Sequence, residues 1–150
     1  WVQMTEHLLD RMRKMGLNLP PAAWAALIIA HAACGNLASL RQVLEQMRIR
    51  RIPCQPYAAD AVMRRLISID LLFADQLSTH LPNLPARTYG RLMEEFVAVG
   101  DRPRFESVLQ RALHCKYVPR LEYIGPLLQR LRDRIRYNET TKLAQPTDRL

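Results

Sequence analysis

Residues Thr88 to Arg120 read TYGRLMEEFVAVGDRPRFESVLQRALHCKYVPR, and residues Ala23 to Gln55 read AWAALIIAHAACGNLASLRQVLEQMRIRRIPCQ. In the first stretch Tyr89, Leu92, Met93, Phe96 and Val97 fall at helical spacing up to Gly100. Phe105, Val108, Leu109, Ala112 and Leu113 then repeat the pattern before Val118-Pro119-Arg120. The second stretch is a weaker copy: Trp24, Leu27, Ile28 and His31 run to Gly35, and Leu40, Val43, Leu44 and Met47 run to Ile52-Pro53-Cys54-Gln55. Each copy is a helix led by an aromatic residue, a glycine stop, a second helix and an exit marked by proline. A two-helix unit that recurs at a fixed period predicts an all-α solenoid of stacked antiparallel helix pairs.

The period holds outside the two copies. Trp24, Ala59, Tyr89 and Ile124 lead successive first helices at steps of 35, 30 and 35 residues, each followed by two apolar residues: Leu27 and Ile28, Val62 and Met63, Leu92 and Met93, Leu127 and Leu128. Helices are therefore predicted near 1–15, 21–34, 37–50, 56–69, 71–80, 86–99, 102–116 and 121–137. They make one continuous array over 1–137: a partial unit 1–20, full units 21–55, 56–85 and 86–120, and a partial unit 121–137. The unit 56–85 is short, and Leu81-Pro82-Asn83-Leu84-Pro85 is expected to distort the stack, because two prolines forbid helix continuation. Residues 138–150 are polar, lack an apolar stripe and contain Pro146, which predicts an extended or disordered tail. In residues 1–15, Met4, Leu8, Met12 and Met15 share one face of an amphipathic helix that ends at Gly16. This is the second helix of a repeat whose first is missing, so a targeting segment is expected to have been removed or to lie ahead of Trp1.

The net charge is +8 and the isoelectric point near 10.0. Arginine carries nearly all the positive charge, since the lysines are Lys14, Lys116 and Lys142 alone. Basic residues outnumber acidic ones in every unit but 56–85. This favours a polyanionic partner met through phosphate contacts or base stacking, against the alternative that arginine solvates helix backs. The cysteines Cys34, Cys54 and Cys115 form no CxxC pair, so reduced and partly buried thiols in a non-secreted protein are expected, with no disulfide framework and no zinc site. The longest apolar run, Ala22 to Ala30, is too short to span a bilayer.

No enzyme chemistry is expected, and no cofactor, catalytic metal or small-molecule substrate. The glycines Gly16, Gly35, Gly90, Gly100 and Gly125 make neither a phosphate loop nor a dinucleotide turn. His7, His31, His80 and His114 are dispersed, and His31 lies on the apolar face of its helix. His114 and Cys115 are adjacent, which on a helix points them about 100° apart. The methionines fall mostly at core spacing. Arg48, Arg50 and Arg51 close a second helix, where cations suit the helix dipole as well as they suit RNA.

With these residues in view, the chain resembles pentatricopeptide repeat proteins over residues 1 to about 137. The likeness rests on the aromatic and two aliphatics of each first helix, the small residue before glycine (Cys34-Gly35, Val99-Gly100), and the second-helix Met12 and Met47. It rests also on the closing turns Gly16–Pro20, Arg51–Gln55 and Lys116–Arg120. The resemblance implies a right-handed superhelix that binds single-stranded RNA along its first helices, in mitochondria or plastids. It further implies a role as a subunit of a ribonucleoprotein such as the mitochondrial ribosome or its assembly intermediate, touching both RNA and neighbouring proteins; a protein adaptor of the same fold and a factor in organellar mRNA processing or stability are the alternatives. The positions implied to read bases are Ala25 with Gln55, Asp60 with Pro85, and Gly90 with Arg120. Only Asp60 among the first members is polar, so a sequence-tolerant contact is expected. The positions implied to clamp a base are Ala22, Tyr57, Arg87 and Glu122. Of these, Tyr57 and Arg87 form the one adjacent stacking pair, with Arg91 one turn beyond to meet a phosphate.

Overall fold

The computed structural model describes residues 4, 7, 10–12, 14–16, 18–81, 84–117 and 119–144. Among them the secondary structure is helical with no strand. The helices are α1 (Pro21–Ala33), α2 (Leu37–Ile49), α3 (Pro56–Ile69), α4 (Leu71–His80), α5 (Ala86–Val99), α6 (Arg102–His114) and α7 (Leu121–Ala144). Met4, His7, Asp10–Met12 and Lys14 are also helical and Met15 is in the turn that follows; the other positions of the helix expected over 1–15 lie outside the described residues.

The helices of the first unit start by two different chemistries. Pro21 and Pro56 open α1 and α3 at the first helical position, where the missing N–H is not needed and φ is already set. The second helices are capped instead by a side-chain oxygen: Asn36 Oδ1 accepts from Ser39 N at 3.1 Å, Asp70 Oδ1 from Phe73 N at 2.9 Å and Asp101 Oδ1 from Arg104 N at 3.1 Å. The ends divide as well. Gly35 and Gly100 close α1 and α5 at φ +69° and +79°, and the residue after each donates back five positions, Asn36 N to His31 O and Asp101 N to Phe96 O. Arg51 and Lys116 take the same left-handed position after α2 and α6 at φ 55° and 61°, with Ile52 N on Met47 O and Tyr117 N on Ala112 O.

The chain divides into two compact units, Trp1–Pro85 and Ala86–Leu150, with the boundary at the end of the proline-rich segment. Pro82 and Asn83 are outside the described residues. In the first unit α1 packs on both α2 and α3, and α3 on α4; in the second, α5 packs on both α6 and α7. α1 and α5 thus each cover two later helices of their own unit. The two cores are filled by equivalent positions: Leu27, Ile28, Leu40, Val62 and Leu66 in one, and Leu92, Met93, Phe105, Leu127 and Leu131 in the other, all buried. Trp24, His31 and Phe96 are about 1% exposed.

Several expectations need correction. α7 runs to Ala144, so residues 138–144 are helix and not tail; 145–150 lie outside the described residues. Extending an existing helix costs far less than nucleating one, and the side chains here bond inward: Thr141 Oγ1 donates to Tyr137 O at 2.8 Å and Asn138 Nδ2 to Val99 O at 3.4 Å. Met4 and Met15 are 72% and 63% exposed, while Met47, Met63 and Met93 are buried. Spacing fixes which residues share a face but not whether anything covers that face. Leu109 is half-buried rather than central, and Leu113 is exposed, so Phe105, Val108 and Ala112 carry the buried face of α6. Of the thiols expected to be partly buried, only Cys54 is; Cys34 and Cys115 are exposed.

Candidate nucleic-acid interface

Of the positions that the resemblance implies to read bases, the first member of each pair is closed. Ala25 is 1% exposed. Gly90 is buried beneath Tyr123 of α7, whose hydroxyl lies 3.2 Å from Gly90 O and 2.9 Å from Glu94 Oε1. Burial, and then the hydrogen bond to the Glu94 carboxylate, push the Tyr123 phenol well above its ordinary range. Asp60 is 6% exposed and its Oδ2 accepts from Arg64 Nη2 at 2.7 Å. A carboxylate already engaged by a guanidinium offers little to a base edge. Of the closing residues, Gln55 is half-buried before α3, with its carbonyl accepting from Ala58 N and Ala59 N, and Arg120 is exposed before α7.

The clamp positions are open. Tyr57, in the first turn of α3, is 58% exposed. Arg87 and Arg91 are exposed on α5. Tyr57 belongs to the first compact unit and Arg87 and Arg91 to the second.

The arginines sort by what they already hold. Arg48 grips Glu45 through Nε and Nη2 at 2.8 and 2.6 Å, which keeps that carboxyl below its usual range. Arg64 holds Asp60, Arg102 holds Glu106 at 2.6 Å and Arg104 holds Asp101. Arg50 lies over the Trp24 ring, 5.5 Å from its centroid, and Arg41 over Phe73 at 4.2 Å. Of the cluster Arg48, Arg50 and Arg51, therefore, the first two are engaged within the fold, while Arg51 supplies the left-handed helix stop and is exposed. By contrast, among the described residues Arg65, Arg91, Arg120, Arg130, Arg132 and Arg136 make no ion pair.

Among the described residues, each unit carries a concavity. Arg41, Leu44, Met47 and Arg48 of α2, the turn Ile52–Cys54, and Phe73, Leu77 and His80 of α4 line a mostly apolar groove of about 360 Å³. In the second unit, Val97 and Ala98 of α5 face Arg130, Asp133, Arg134 and Tyr137 of α7 across a cleft of about 330 Å³. Sequence spacing did not single out either one; the row Arg130, Arg134 and Tyr137 at helical intervals was the signal for the second.

No group of three metal-ligating side chains occurs among the described residues, and no helix there is long and apolar enough to cross a membrane. His114 Nδ1 donates to Gln110 O at 3.0 Å within its own helix, and Cys115 Sγ lies 3.3 Å from Tyr89 Oη, so each member of that pair is engaged elsewhere. Burial raises the Cys54 thiol, which is opposite to what an activated nucleophile needs. No family model matches the chain, and no curated protein matches it significantly.

Proposed function

We propose that this chain is a non-catalytic RNA-binding helical-repeat protein of pentatricopeptide type, stacked as a right-handed solenoid. It works in mitochondria, or in plastids, as part of a ribonucleoprotein in translation, such as the organellar ribosome or an intermediate in its assembly. The observation that carries this reading is the set of exposed guanidiniums, Arg65, Arg91, Arg120, Arg130, Arg132 and Arg136, that make no ion pair among the described residues of an all-helical chain. Surface cations that hold no internal partner are free to release counterions from a phosphate backbone. The closed state of Ala25, Asp60 and Gly90 favours sequence-tolerant contact over base reading: in the first unit Tyr57 offers a stacking face, with Gln55 and Arg51 near the turn before it, and in the second Arg87, Arg91 and Arg120 offer guanidiniums. Purification of the native protein tests the reading: ribosomal subunits or their precursors should accompany it and be released by ribonuclease. An organellar mRNA in their place would point to processing or stability work.

A protein partner without RNA is the second reading, and the groove between α2 and α4 favours it. The two faces that line it run Arg41, Leu44, Glu45, Arg48 and Phe73, Gln76, Leu77, His80. Each is one helix face, and the mostly apolar groove between them is the kind into which an amphipathic helix lays its apolar side. Binding to a protein that ignores salt, with no retention on RNA, would favour this second reading.

A further inference from the structure

The second half of α7 carries four guanidiniums in two rows. Arg130 and Arg134 stand one turn apart on the side that faces Val97 and Ala98 of α5. Arg132 and Arg136 stand one turn apart, each roughly 200° further round the helix. All four are exposed, and none makes an ion pair among the described residues. Tyr137 closes the first row. It is 61% exposed, and the Arg134 guanidinium lies over one face of its ring, 5.4 Å from the centroid.

The row is held in place from below. Gly100 ends α5 at φ +79°, and a Cβ there would stand 2.9 Å from Asn138 Nδ2 and 3.3 Å from Arg134 Cγ. The Arg134 stem and the Asn138 amide therefore rest directly on the glycine, and Asn138 also donates to Val99 O. That seat sets the height of Arg134 and Tyr137 against α5.

We infer that the cleft between α5 and the second half of α7 binds single-stranded RNA, with one base on Tyr137 and the flanking phosphates on Arg130 and Arg134. This rests on the RNA-binding reading above and adds a location in the second half of α7, distinct from the base-reading and clamp positions. The chemistry selects the ligand. A free phosphate or an acidic peptide would satisfy the guanidiniums and leave the exposed ring unused, whereas a nucleotide uses both. The two arginines are about 6 Å apart along the helix, the scale of neighbouring phosphates on an extended strand. Asp133 lines the same cleft, with Gln129 Nε2 donating to its Oδ1 at 3.0 Å. Its negative charge opposes a phosphate, so it reports on occupancy with the opposite sign.

The test compares charge-matched variants of the full chain on two short single-stranded RNAs of unrelated sequence at fixed low salt. R130A/R134A should lose about tenfold or more in affinity and R132A/R136A markedly less, although both lose the same charge. Tyr137→Ala should lose roughly fivefold to a hundredfold while Tyr137→Phe keeps its affinity, since the face and not the hydroxyl does the stacking. Asp133→Asn should bind more tightly, a gain that misfolding cannot produce. Equal losses from the two arginine pairs, or no gain from Asp133→Asn, overturn the site and leave RNA binding in place. A wild-type chain that binds neither RNA overturns the site and the broader reading together.

Discussion

The hydroxyl of Tyr123 sits over Gly90, 3.2 Å from its carbonyl oxygen, and a Cβ added to Gly90 would stand 3.2 Å from that same hydroxyl. A side chain of α7 thus fills the space over Gly90, and the absence of a side chain on Gly90 makes room for it. The pair ties α5 to α7 within the second unit. Tyr123→Phe should keep the packing and lose the bonds to Gly90 O and Glu94, lowering unfolding free energy by about 1 kcal/mol. A chemical melt indistinguishable from wild type would mean that the hydroxyl does not hold α7.

Alkali should expose the buried phenols. Burial, and then the Cys115 thiol 3.3 Å away, push Tyr89 up to about 12 from its ordinary 10.0, and Tyr123 is shifted in the same direction. A raised acid pKa means that the unfolded chain releases its proton first. The stability contribution is complete below pH 10.0 and is lost as pH rises towards about 12. Thermal melts should hold steady up to that window and fall within it, and Tyr89→Phe should flatten the fall. An unchanged fall in the Phe variant would place the alkaline transition elsewhere.

Helix stops give a matched set of substitutions. Arg51 and Lys116 hold φ of 55° and 61°, where a non-glycine residue is strained by about 1 kcal/mol, so Arg51→Gly and Lys116→Gly should each raise stability by up to that amount. Gly35 and Gly100 share the conformation but not the surroundings. A Cβ at Gly35 meets nothing within 4 Å, whereas at Gly100 it runs into Asn138 and Arg134. Gly100→Ala should therefore lower the melting temperature more than Gly35→Ala; equal effects would contradict the seating of α7 on Gly100.

Core substitutions should follow burial. Phe96→Ala should cost about 3 to 5 kcal/mol, and Leu109→Ala clearly less, because Leu109 is only half-buried. Glu106→Ala removes an exposed pair with Arg102 and should leave the melting temperature unchanged. Urea melts that ranked Leu109 with Phe96 would restore the register read from the sequence.

Most of the fold was legible because its determinants are local. The proline starts at Pro21 and Pro56, the stops at Gly35 and Gly100, and the apolar spacing behind Trp24 and Tyr89 each act within a turn or two. Boundaries of α1 to α6 therefore fell within two residues of expectation. What stayed hidden depends on neighbours far along the chain. Nothing local says that Tyr123 will cover Gly90, that Arg50 will lie on Trp24, or that Asn138 will reach Val99 and carry α7 beyond Tyr137. The candidate site was less legible than the fold for the same reason: whether an arginine is available depends on whether an acid lies within reach. Arg48 and Arg64 are spoken for by residues three and four positions earlier, while Arg130 and Arg136 are not.

The account rests most directly on the salt dependence of RNA binding by the full chain. Each phosphate contact on a single strand contributes about −0.7 to the slope of log affinity against log salt. Engagement of three or four guanidiniums therefore gives a slope of roughly −2 to −3, the same on two RNAs of unrelated sequence. A slope near zero, or no binding at low salt, would contradict an RNA-binding role for these unpaired arginines.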